Sequence, residues 1–300
     1  MRQEVESRKL ISTSRVEEPD LIIRTTGEST YSGIGTGFYQ LDECTCGLQK
    51  GDLIILASRP SMGKTSFVSN IAVNTACMQA VPTLFISLEL SRINLISRML
   101  CSWGKVNTRK FKNGRMDDAD WARIYEAANT ISPSPLFIVD TPRITVSGLE
   151  NYCRDFTSKH PGGIIIIDCL QLLNADKIYD TREQEITNIT INLKSLAKEL
   201  SVPIIATSHI NRRIEDRTDK RPLTVDLRES GAIEQIADLI LFIYRDSFYH
   251  KSNDSQADNS LTEIIIAKHS NGPTGFCKLR FFPESTSFVN TTDTANLFSD

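Results

Sequence analysis

The segment 51–78, GDLIILASRPSMGKTSFVSNIAVNTACM, restricts the fold more than any other part of the chain. A short apolar run follows a Gly-Asp turn, as in a buried strand, and apolar residues recur at helical spacing after Gly63-Lys64-Thr65. A loop of this kind holds phosphates with backbone N–H groups that meet at the start of a helix. The order strand, loop, helix therefore predicts a phosphate-binding unit.

The loop departs from the usual pattern G-x-x-x-x-G-K-[ST] at one position, because Ser58 stands where the first glycine is expected. A serine can serve there if its φ is negative, since only a positive φ strongly favours glycine. The alternative is a plain strand-to-helix connection that happens to contain Gly-Lys-Thr. We expect the loop to bind a nucleotide through Ser61, Met62, Gly63, Lys64, Thr65 and Ser66.

Strand-like and helix-like segments alternate from about residue 33 onward. Apolar strand-like runs occupy 53–57, 83–87, 136–139, 164–167, 203–207, 238–244, 262–267 and 276–282. Helical patterns at 64–78, 91–102, 117–130, 147–159 and 183–200 separate most of them. Such alternation predicts a mainly parallel sheet with helices on both faces. The last two runs are separated only by a turn signal, Asn271-Gly272-Pro273, so the sheet should end in a β-hairpin.

Two carboxylates follow apolar runs of the predicted sheet. Four isoleucines in GGIIIIDCLQLL precede Asp168, and the run in TLFISLEL leads to Glu89. The carboxyl ends of parallel strands meet at one edge, where Asp168 could hold Mg²⁺ with the Thr65 hydroxyl and Glu89 could activate a water. The alternatives are an aspartate that ends a strand by chance and a glutamate that stabilises the start of the next helix.

A third strand end, VPIIATSHI, carries Ser208 and His209. An imidazole there could donate a hydrogen bond to a terminal phosphate and transmit its loss to the following loop, although a lone histidine is more often structural. The next stretch, NRRIEDRTDKRP, is basic and lacks apolar periodicity. It could contact phosphates, or its charges could simply be solvated.

Composition excludes several classes of protein. The 300 residues are 40% hydrophobic and 24% charged with a net charge of −3, which argues against a polybasic DNA-coating protein. The seven cysteines form no C-x-x-C spacing, so the sequence predicts neither a zinc site nor a disulfide framework. The sequence shows no signal peptide and no long apolar stretch. We expect a cytoplasmic protein without a membrane partner.

The polar, aperiodic residues at both ends set the expected domain bounds. We divide the chain into an N-terminal arm or linker (1–32), one domain (33–290) and a C-terminal tail (291–300). The polar stretch 250–260 is expected to be a disordered loop within the domain.

Five segments, in this order and spacing, carry a family resemblance: SRPSMGKTS, SLEL, IIIIDCLQLL, DLRESGAIEQIADLILFIYRD and NGPTG. From about Gly33 to Val289 the chain resembles the motor domain of DnaB-type replicative helicases, some of which also have Ala or Ser at the first loop position. DLRESG with the following EQ-x-AD is not shared by RecA-like ATPases generally. The resemblance implies an α/β, RecA-like P-loop NTPase fold: a mostly parallel twisted sheet, helices on both faces and a C-terminal β-hairpin.

The resemblance also implies a function. DnaB-type helicases hydrolyse nucleoside triphosphate at the subunit interfaces of a hexameric ring and move along single-stranded DNA in its channel. We therefore expect ATP and Mg²⁺ as cofactors and single-stranded DNA and further copies of this chain as partners. A helicase loader or a primase is the further partner that the resemblance suggests.

Roles for single residues follow from matched positions. Lys64 would contact the phosphates, Thr65 and Asp168 would hold Mg²⁺, and Glu89 would act as the base. His209 stands where DnaB proteins usually have glutamine, but related phage helicases use histidine there, so a sensing role is retained. Further contacts are expected from Arg245 to the nucleotide and from Arg212, Arg213, Arg228, Glu229 and Gly231 to the DNA backbone.

Two departures from the family bear on this prediction. The family has an N-terminal helical domain and a linker helix that docks on the neighbouring subunit, whereas about 30 residues precede the motor segment here. The family also reads Lys-x-Arg before Asn-Gly-Pro. Lys268 is kept and would reach the neighbour's γ-phosphate as a catalytic residue, but Ser270 replaces the arginine finger.

Three functions remain open from the sequence. An ATP-dependent DNA helicase motor is the leading prediction. A RecA-like nucleotide switch, which binds ATP and DNA or a helicase without processive unwinding, is favoured by Ser270 and by the short N-terminal segment. A ring ATPase that acts on protein would leave DLRESG unexplained. The alternative to a DNA-contact role for Arg228, Glu229 and Gly231 is that they form the start of a helix.

Overall fold

A nine-stranded mixed sheet organises the structure, a computed structural model that describes residues 31–227, 231–249 and 259–291. The strands are β1 Leu53–Ser58, β2 Thr83–Ser87, β3 Leu136–Val139, β4 Ile164–Asp168, β5 Ile204–His209, β6 Leu239–Tyr244, β7 Leu261–His269, β8 Gly275–Phe282 and β9 Ser287–Asn290. The helices are α1 Tyr39–Thr45, α2 Lys64–Met78, α3 Arg92–Trp103, α4 Thr108–Lys112, α5 Asp118–Ile131, α6 Val146–Lys159, α7 Arg182–Leu200, α8 Gly231–Ile236 and α9 Asp246–Tyr249.

Some predicted features lie outside the described residues. These are Arg228 and Glu229 of DLRESG, the side chain of Arg213, most of the N-terminal arm (1–30), most of the polar loop (250–258) and the C-terminal tail from residue 292.

The strand order is β3-β2-β4-β5-β1-β6-β7-β8-β9, with parallel pairing from β3 to β6 and antiparallel pairing from β6 to β9. We call the edge at which the six parallel strands end the carboxyl edge, and the edge at which they begin the amino edge. Because β7 runs against β6, its last residue, His269, pairs with Leu239, the first residue of β6. The turn from β7 to β8 therefore lies at the amino edge.

The isoleucines of β4 show how the sequence builds both sides of the core. Ile165 and Ile167 pack in one apolar cluster with residues of α6 and α7, whereas Ile164 and Ile166 pack in the other with residues of α2 and α3. All four are fully buried. Successive strand residues face opposite sides of a sheet, so a continuous isoleucine run fits a strand covered by helices on both faces. Each buried isoleucine contributes about 1.5–3 kcal/mol.

The predicted fold class is confirmed, since every predicted strand and helix is present and the sheet is parallel over six strands. The sheet continues past the predicted hairpin, however, because β9 pairs with β8. β9 has four residues and helices α1, α4, α8 and α9 have four to seven, too few for a periodic pattern. Within the described ranges, no helix combines the length and the apolar character needed to span a membrane.

Candidate functional site

The loop between β1 and α2 presents the start of a helix to the carboxyl edge. Gly63 precedes α2 with a φ of 101°, in the region that favours glycine. A Cβ at this position would lie 3.0 Å from the ring of Phe288 and 3.2 Å from that of Phe281. Among the residues that the structure describes, no side chain caps α2, so the N–H groups of its first turn are available to an anion, which the helix dipole also favours.

Ser58 explains why the loop does without its first glycine. It is the last residue of β1, pairs with His209 of β5, is fully buried and does not have a positive φ. The positive φ falls instead on Ser61, at 68°, a conformation that costs about 1–3 kcal/mol for a residue other than glycine. A glycine is therefore not required at position 58, because strand pairing already fixes an extended backbone there.

Asp168 lies at the end of β4, fully buried beside the loop. The Thr65 hydroxyl donates to its Oδ2 at 2.8 Å, and the Thr207 hydroxyl donates to its Oδ1 at 2.5 Å. A buried carboxylate needs such partners, because burial without them is costly. The Thr65 and Asp168 oxygens form the kind of hard donor set that suits Mg²⁺. Thr207 was not singled out from the sequence, although it also lies near a strand end.

Glu89 lies at the same edge, two residues past the end of β2. Its backbone N–H and that of Leu88 donate to the carbonyl oxygen of Asp168 at 3.3 and 2.6 Å, which holds this turn against the end of β4. Ser91, not Glu89, is the N-cap of α3. The Glu89 side chain is exposed and lines the same cleft as the phosphate loop, where a carboxylate can accept a proton from a bound water.

Lys64 and His209 contact each other at the centre of this edge. The Lys64 Nζ lies 3.3 Å from His209 Nδ1 and 3.4 Å from the carbonyl oxygen of Ser208. A lysine ammonium can only donate, so Nδ1 accepts and the neutral ring carries its proton on Nε2. Nε2 lies 3.6 Å from the Cys169 sulfur. Burial raises the pKa of this thiol, although the Lys64 charge acts in the opposite direction.

One cleft of about 440 Å³ is lined by Lys64, Thr65, Glu89 and His209. Arg245, which follows β6, lines it and lies with its guanidinium carbon 4.9 Å from the centre of the Phe281 ring, within reach of a cation–π contact. Burial lowers the pKa of Arg245. Sequence reasoning named Arg245 but missed Arg98 of α3 and Phe281 of β8, which line the same cleft. Neither follows a strand of the parallel sheet, so no strand-end signal marked them.

The basic loop after β5 uses several of its charges inside the protein. Arg217 pairs with Asp226 at 2.9 Å, and Glu215 pairs with Arg59 of the phosphate loop. Arg212, which was predicted to contact DNA, is exposed at the start of a short 3₁₀ turn. These ion pairs hold the loop against neighbouring segments. Fewer of its basic side chains are available to a ligand than its composition suggests.

The start of DLRESG is joined to the end of β5. Ile210, directly after His209, forms an antiparallel backbone bridge with Leu227, the second residue of the motif. Asn211 donates its backbone N–H to the carbonyl oxygen of Asp226 at 2.7 Å. Gly231, the last residue of the motif, is exposed and begins α8.

Lys268 lies apart from the other predicted catalytic residues, at the amino edge. It pairs with Ile240 near the start of β6 and does not line the cleft. Its Nζ donates to the carbonyl oxygens of Glu234 and Gln235, near the end of α8, at 2.7 and 3.1 Å. Ser270 is exposed and donates its backbone N–H to the carbonyl oxygen of Asp238 at 2.8 Å. The structure thus separates these two residues from their own chain's cleft.

Comparisons with known proteins agree with this architecture. The family model described as DnaB-like helicase C terminal domain matches residues 33–290. The replicative DNA helicase DnaB of Geobacillus stearothermophilus is 43% identical over 272 residues, which cover 90% of this chain and 59% of the relative. The replicative DNA helicase DnaC of Bacillus subtilis is 44% identical over 260 residues, covering 86% of this chain and 57% of the relative. The chain thus spans less than two thirds of the length of these relatives.

Solved structures show the same likeness. One of them, described as an ATPase domain, matches with a TM-score of 0.82 and 39% identity over 88% of this chain and 93% of that chain. A structure described as a DnaB-like replicative helicase and its interactions with primase matches with the same TM-score and identity, over 87% of this chain and 62% of that chain. Since the family model covers most of the sequence and the relatives exceed 40% identity, this chain belongs to the DnaB-like helicase C-terminal domain family.

Proposed function

We propose that residues 33–290 form the ATP-hydrolysing motor of a DNA helicase, which moves along single-stranded DNA. The observation that carries the proposal is the convergence, around one cleft, of an uncapped helix start, Lys64, the Thr65–Asp168 oxygen pair and the exposed carboxylate of Glu89. The relatives named as replicative DNA helicases support the same activity for this chain.

The cleft suits a nucleoside triphosphate. The backbone N–H groups of the 61–66 loop would hold the phosphates, and the close approach at Gly63 leaves no room for a larger residue. Thr65 and Asp168 would hold Mg²⁺, which when bound neutralises charge on the phosphates. Arg245, held over the Phe281 ring at the rim of the cleft, offers a flat cationic surface to the remainder of the nucleotide.

Each polar group of the cleft then has a distinct task. Lys64 exchanges its contacts with His209 and Ser208 for the β- and γ-phosphates, where its charge offsets charge that develops during transfer. Glu89 orients the attacking water and accepts its proton. Once Lys64 has moved to the phosphates, His209 is free to carry its proton on Nδ1 and donate it to the terminal phosphate, so its hydrogen bonding depends on which nucleotide is present.

A short backbone path connects this site to the segment proposed to bind DNA. His209 is followed by Ile210, which is bridged to Leu227, and Arg228 comes next in the chain. A movement of His209 would therefore be transmitted to DLRESG through the backbone bridge between Ile210 and Leu227. This arrangement supports a motor in which nucleotide state alters the grip on the DNA backbone, a contact that is independent of base sequence.

Assembly and partners belong to the same proposal. We infer that the chain works as a homo-hexamer, because Lys268 lies at the amino edge and could act only on a cleft of another subunit. The comparison structure described with primase supports a primase as partner for this chain. A helicase loader is a further proposed partner.

Single-stranded DNA provides the direct test. In the purified chain we expect ATP hydrolysis that rises when single-stranded DNA is added. Arg228→Ala should weaken DNA binding equally for all sequences and reduce the slope of log affinity against log salt by about 1, because one phosphate contact is lost. Arg212→Ala is the matched comparison within the other predicted DNA segment. Loss of basal ATP hydrolysis in Arg228→Ala with unchanged DNA affinity would contradict this assignment.

A nucleotide switch without processive unwinding is the second candidate. It is favoured by Ser270, which stands at the amino edge without the guanidinium that an arginine finger would supply. The two functions differ in strand separation. A chain that hydrolyses ATP and binds DNA, yet separates no duplex in an assay with a fluorescent forked substrate, would favour the switch.

A further inference from the structure

Three potential metal ligands meet at the carboxyl edge, one from each of three adjacent strand ends. Glu89 follows β2, Cys169 follows β4 and His209 ends β5, and their ligand atoms all lie within 4.8 Å of one another. The proposed ATP chemistry uses Glu89 and His209 but gives no role to Cys169, which is fully buried. The described chain holds no other group of three such ligands.

The geometry of the sulfur and the imidazole suits a tetrahedral ion. With Zn–S near 2.3 Å and Zn–N near 2.0–2.1 Å, two ligands of a tetrahedral zinc lie about 3.6 Å apart. The Cys169 sulfur and the His209 Nε2 lie 3.6 Å apart. Glu89 is exposed, so its carboxylate can adjust to complete a third bond, and both Glu89 and His209 line the open cleft, from which an ion can enter.

The chemistry of these donors distinguishes them from the proposed Mg²⁺ ligands. Thr65 and Asp168 offer only oxygen, which suits a hard cation such as Mg²⁺. A thiolate and an imidazole nitrogen are softer ligands that select zinc, cobalt or cadmium over magnesium. The two sets lie side by side, since Asp168 and Cys169 are consecutive, but they would hold different ions.

We propose that Glu89, Cys169 and His209 bind a thiophilic divalent cation, with Zn²⁺ as the physiological example, beside the cleft that Glu89 and His209 line. On binding, the Cys169 thiol loses its proton to solvent and the sulfur forms a bond to the metal. A second consequence rests on the proposed function: the bound cation occupies the Glu89 carboxylate and therefore stops ATP hydrolysis.

Lys64 makes this site sensitive to what else occupies the cleft. A metal on Nε2 needs the lone pair of that nitrogen, so the imidazole proton must reside on Nδ1. Nδ1 now accepts from the Lys64 ammonium at 3.3 Å, and two donors cannot share that contact. Metal binding therefore breaks the Lys64–His209 hydrogen bond and places a second cation nearby. Removing Lys64 would relieve this repulsion, but it would also remove the charge that lowers the pKa of the Cys169 thiol, so the two effects oppose each other.

Cobalt is the probe for this site, because a cobalt–thiolate bond absorbs in the near ultraviolet and a tetrahedral cobalt ion absorbs in the visible. The nucleotide-free chain is titrated with Co²⁺ and then with Zn²⁺, which should displace the cobalt. We expect both absorptions in the wild type, and a loss of affinity of at least about 100-fold in Cys169→Ser, since a direct ligand matters no less than its supporting partners.

Cys46→Ser is the matched control, because Cys46 is an exposed free cysteine that could bind cobalt adventitiously. It should leave the cobalt spectrum unchanged. Glu89→Gln changes an exposed side chain and so tests the site without disturbing the core; it should weaken binding and leave the sulfur absorption of the bound fraction in place. A cobalt–thiolate absorption that survives in Cys169→Ser, or that disappears in Cys46→Ser, would overturn the proposal.

The consequence for hydrolysis is measured separately. Zn²⁺ should inhibit the ATP hydrolysis of the wild type at concentrations that displace cobalt, and Cys169→Ser should resist it. If the chain binds cobalt but does not hydrolyse ATP, the metal site is supported and the proposed motor function is refuted. If the chain hydrolyses ATP but binds no cobalt, the metal site is refuted and the proposed motor function is supported.

Discussion

The two edges of the sheet treat their charged residues differently. At the carboxyl edge, the Lys64 Nζ hydrogen-bonds His209 and a carbonyl oxygen, both of which a phosphate could replace, and the exposed Glu89 lines the cleft. At the amino edge, Lys268 donates to two carbonyl oxygens of the residues that end α8, and Lys194 pairs with Asp238 at 2.5 Å. One edge holds its charges ready for a ligand, whereas the other uses them to join elements of the fold.

The difference follows from strand direction. Parallel strands send all their carboxyl ends, and the loops that follow, to one edge, so that side chains far apart in sequence meet there. The antiparallel β7 carries Lys268 to the opposite edge, next to the end of α8, where a cation is favourable. A catalytic role for Lys268 therefore requires a second subunit. Its hydrogen bonds to the end of α8 form within one chain.

The largest effect should come from Lys64→Ala, which acts at the carboxyl edge. We expect ATP turnover to be abolished, a loss of about 10³-fold or more, because the lysine charge acts on the phosphates throughout the reaction. The fold should persist, since the hydrogen bonds of the Lys64 Nζ to His209 and to the Ser208 carbonyl oxygen can be replaced. Steady-state ATPase and circular dichroism measure the two effects, with the exposed Lys50→Ala as control. Unchanged turnover would remove the phosphate-loop assignment.

Glu89→Gln should separate binding from chemistry at the same edge. The amide can still hydrogen-bond a water but cannot take its proton, so turnover should fall by about 10²–10⁴ while nucleotide affinity is kept. Fluorescent nucleotide binding and ATPase are measured on the same preparation. If affinity and turnover fall together, Glu89 stabilises the turn after β2 instead of acting on water.

Ser270→Arg tests whether the amino edge completes the cleft of a neighbour. An arginine finger contributes about 10³–10⁵ in rate, and Lys268 lacks the planar fork that contacts two oxygens, so the new arginine should raise turnover. The gain should appear only at protein concentrations where subunits meet. Specific ATPase activity is followed against protein concentration with single-stranded DNA present. A flat curve that matches the wild type would favour the nucleotide switch.

Lys268→Met should have the smallest effect on the isolated chain. It removes two hydrogen bonds to the end of α8, and for a half-buried lysine we expect a loss of about 1 kcal/mol in the free energy of unfolding. Lys278→Met, on the neighbouring strand β8, is the control. Urea unfolding measures the loss, and turnover should fall only at concentrations that support assembly. A fall in turnover at the lowest protein concentrations would show that Lys268 acts on the cleft of its own chain. The two edges would then not differ in the way described above.

The sequence alone determined the sheet and the edge at which chemistry gathers. Apolar runs separated by helical patterns give parallel strands, and each predicted group at that edge (Lys64, Glu89, Asp168, His209) lies at or shortly beyond the end of such a run. This works because strand direction fixes where a strand ends in space, whatever the rest of the chain does. Even the missing glycine at Ser58 follows, since a strand end keeps its φ negative.

Only the tertiary structure decided which side chains touch across strands. The Thr207 contact to Asp168, the approach of Cys169 to His209 and the position of Phe281 beside Arg245 all join segments separated by dozens of residues. The proposed cation site of Glu89, Cys169 and His209 draws its ligands from three strand ends, so it leaves no local spacing pattern in the sequence. The pairing of basic side chains with buried or neighbouring acids was equally hidden, since composition counts charges but only packing shows which of them have partners.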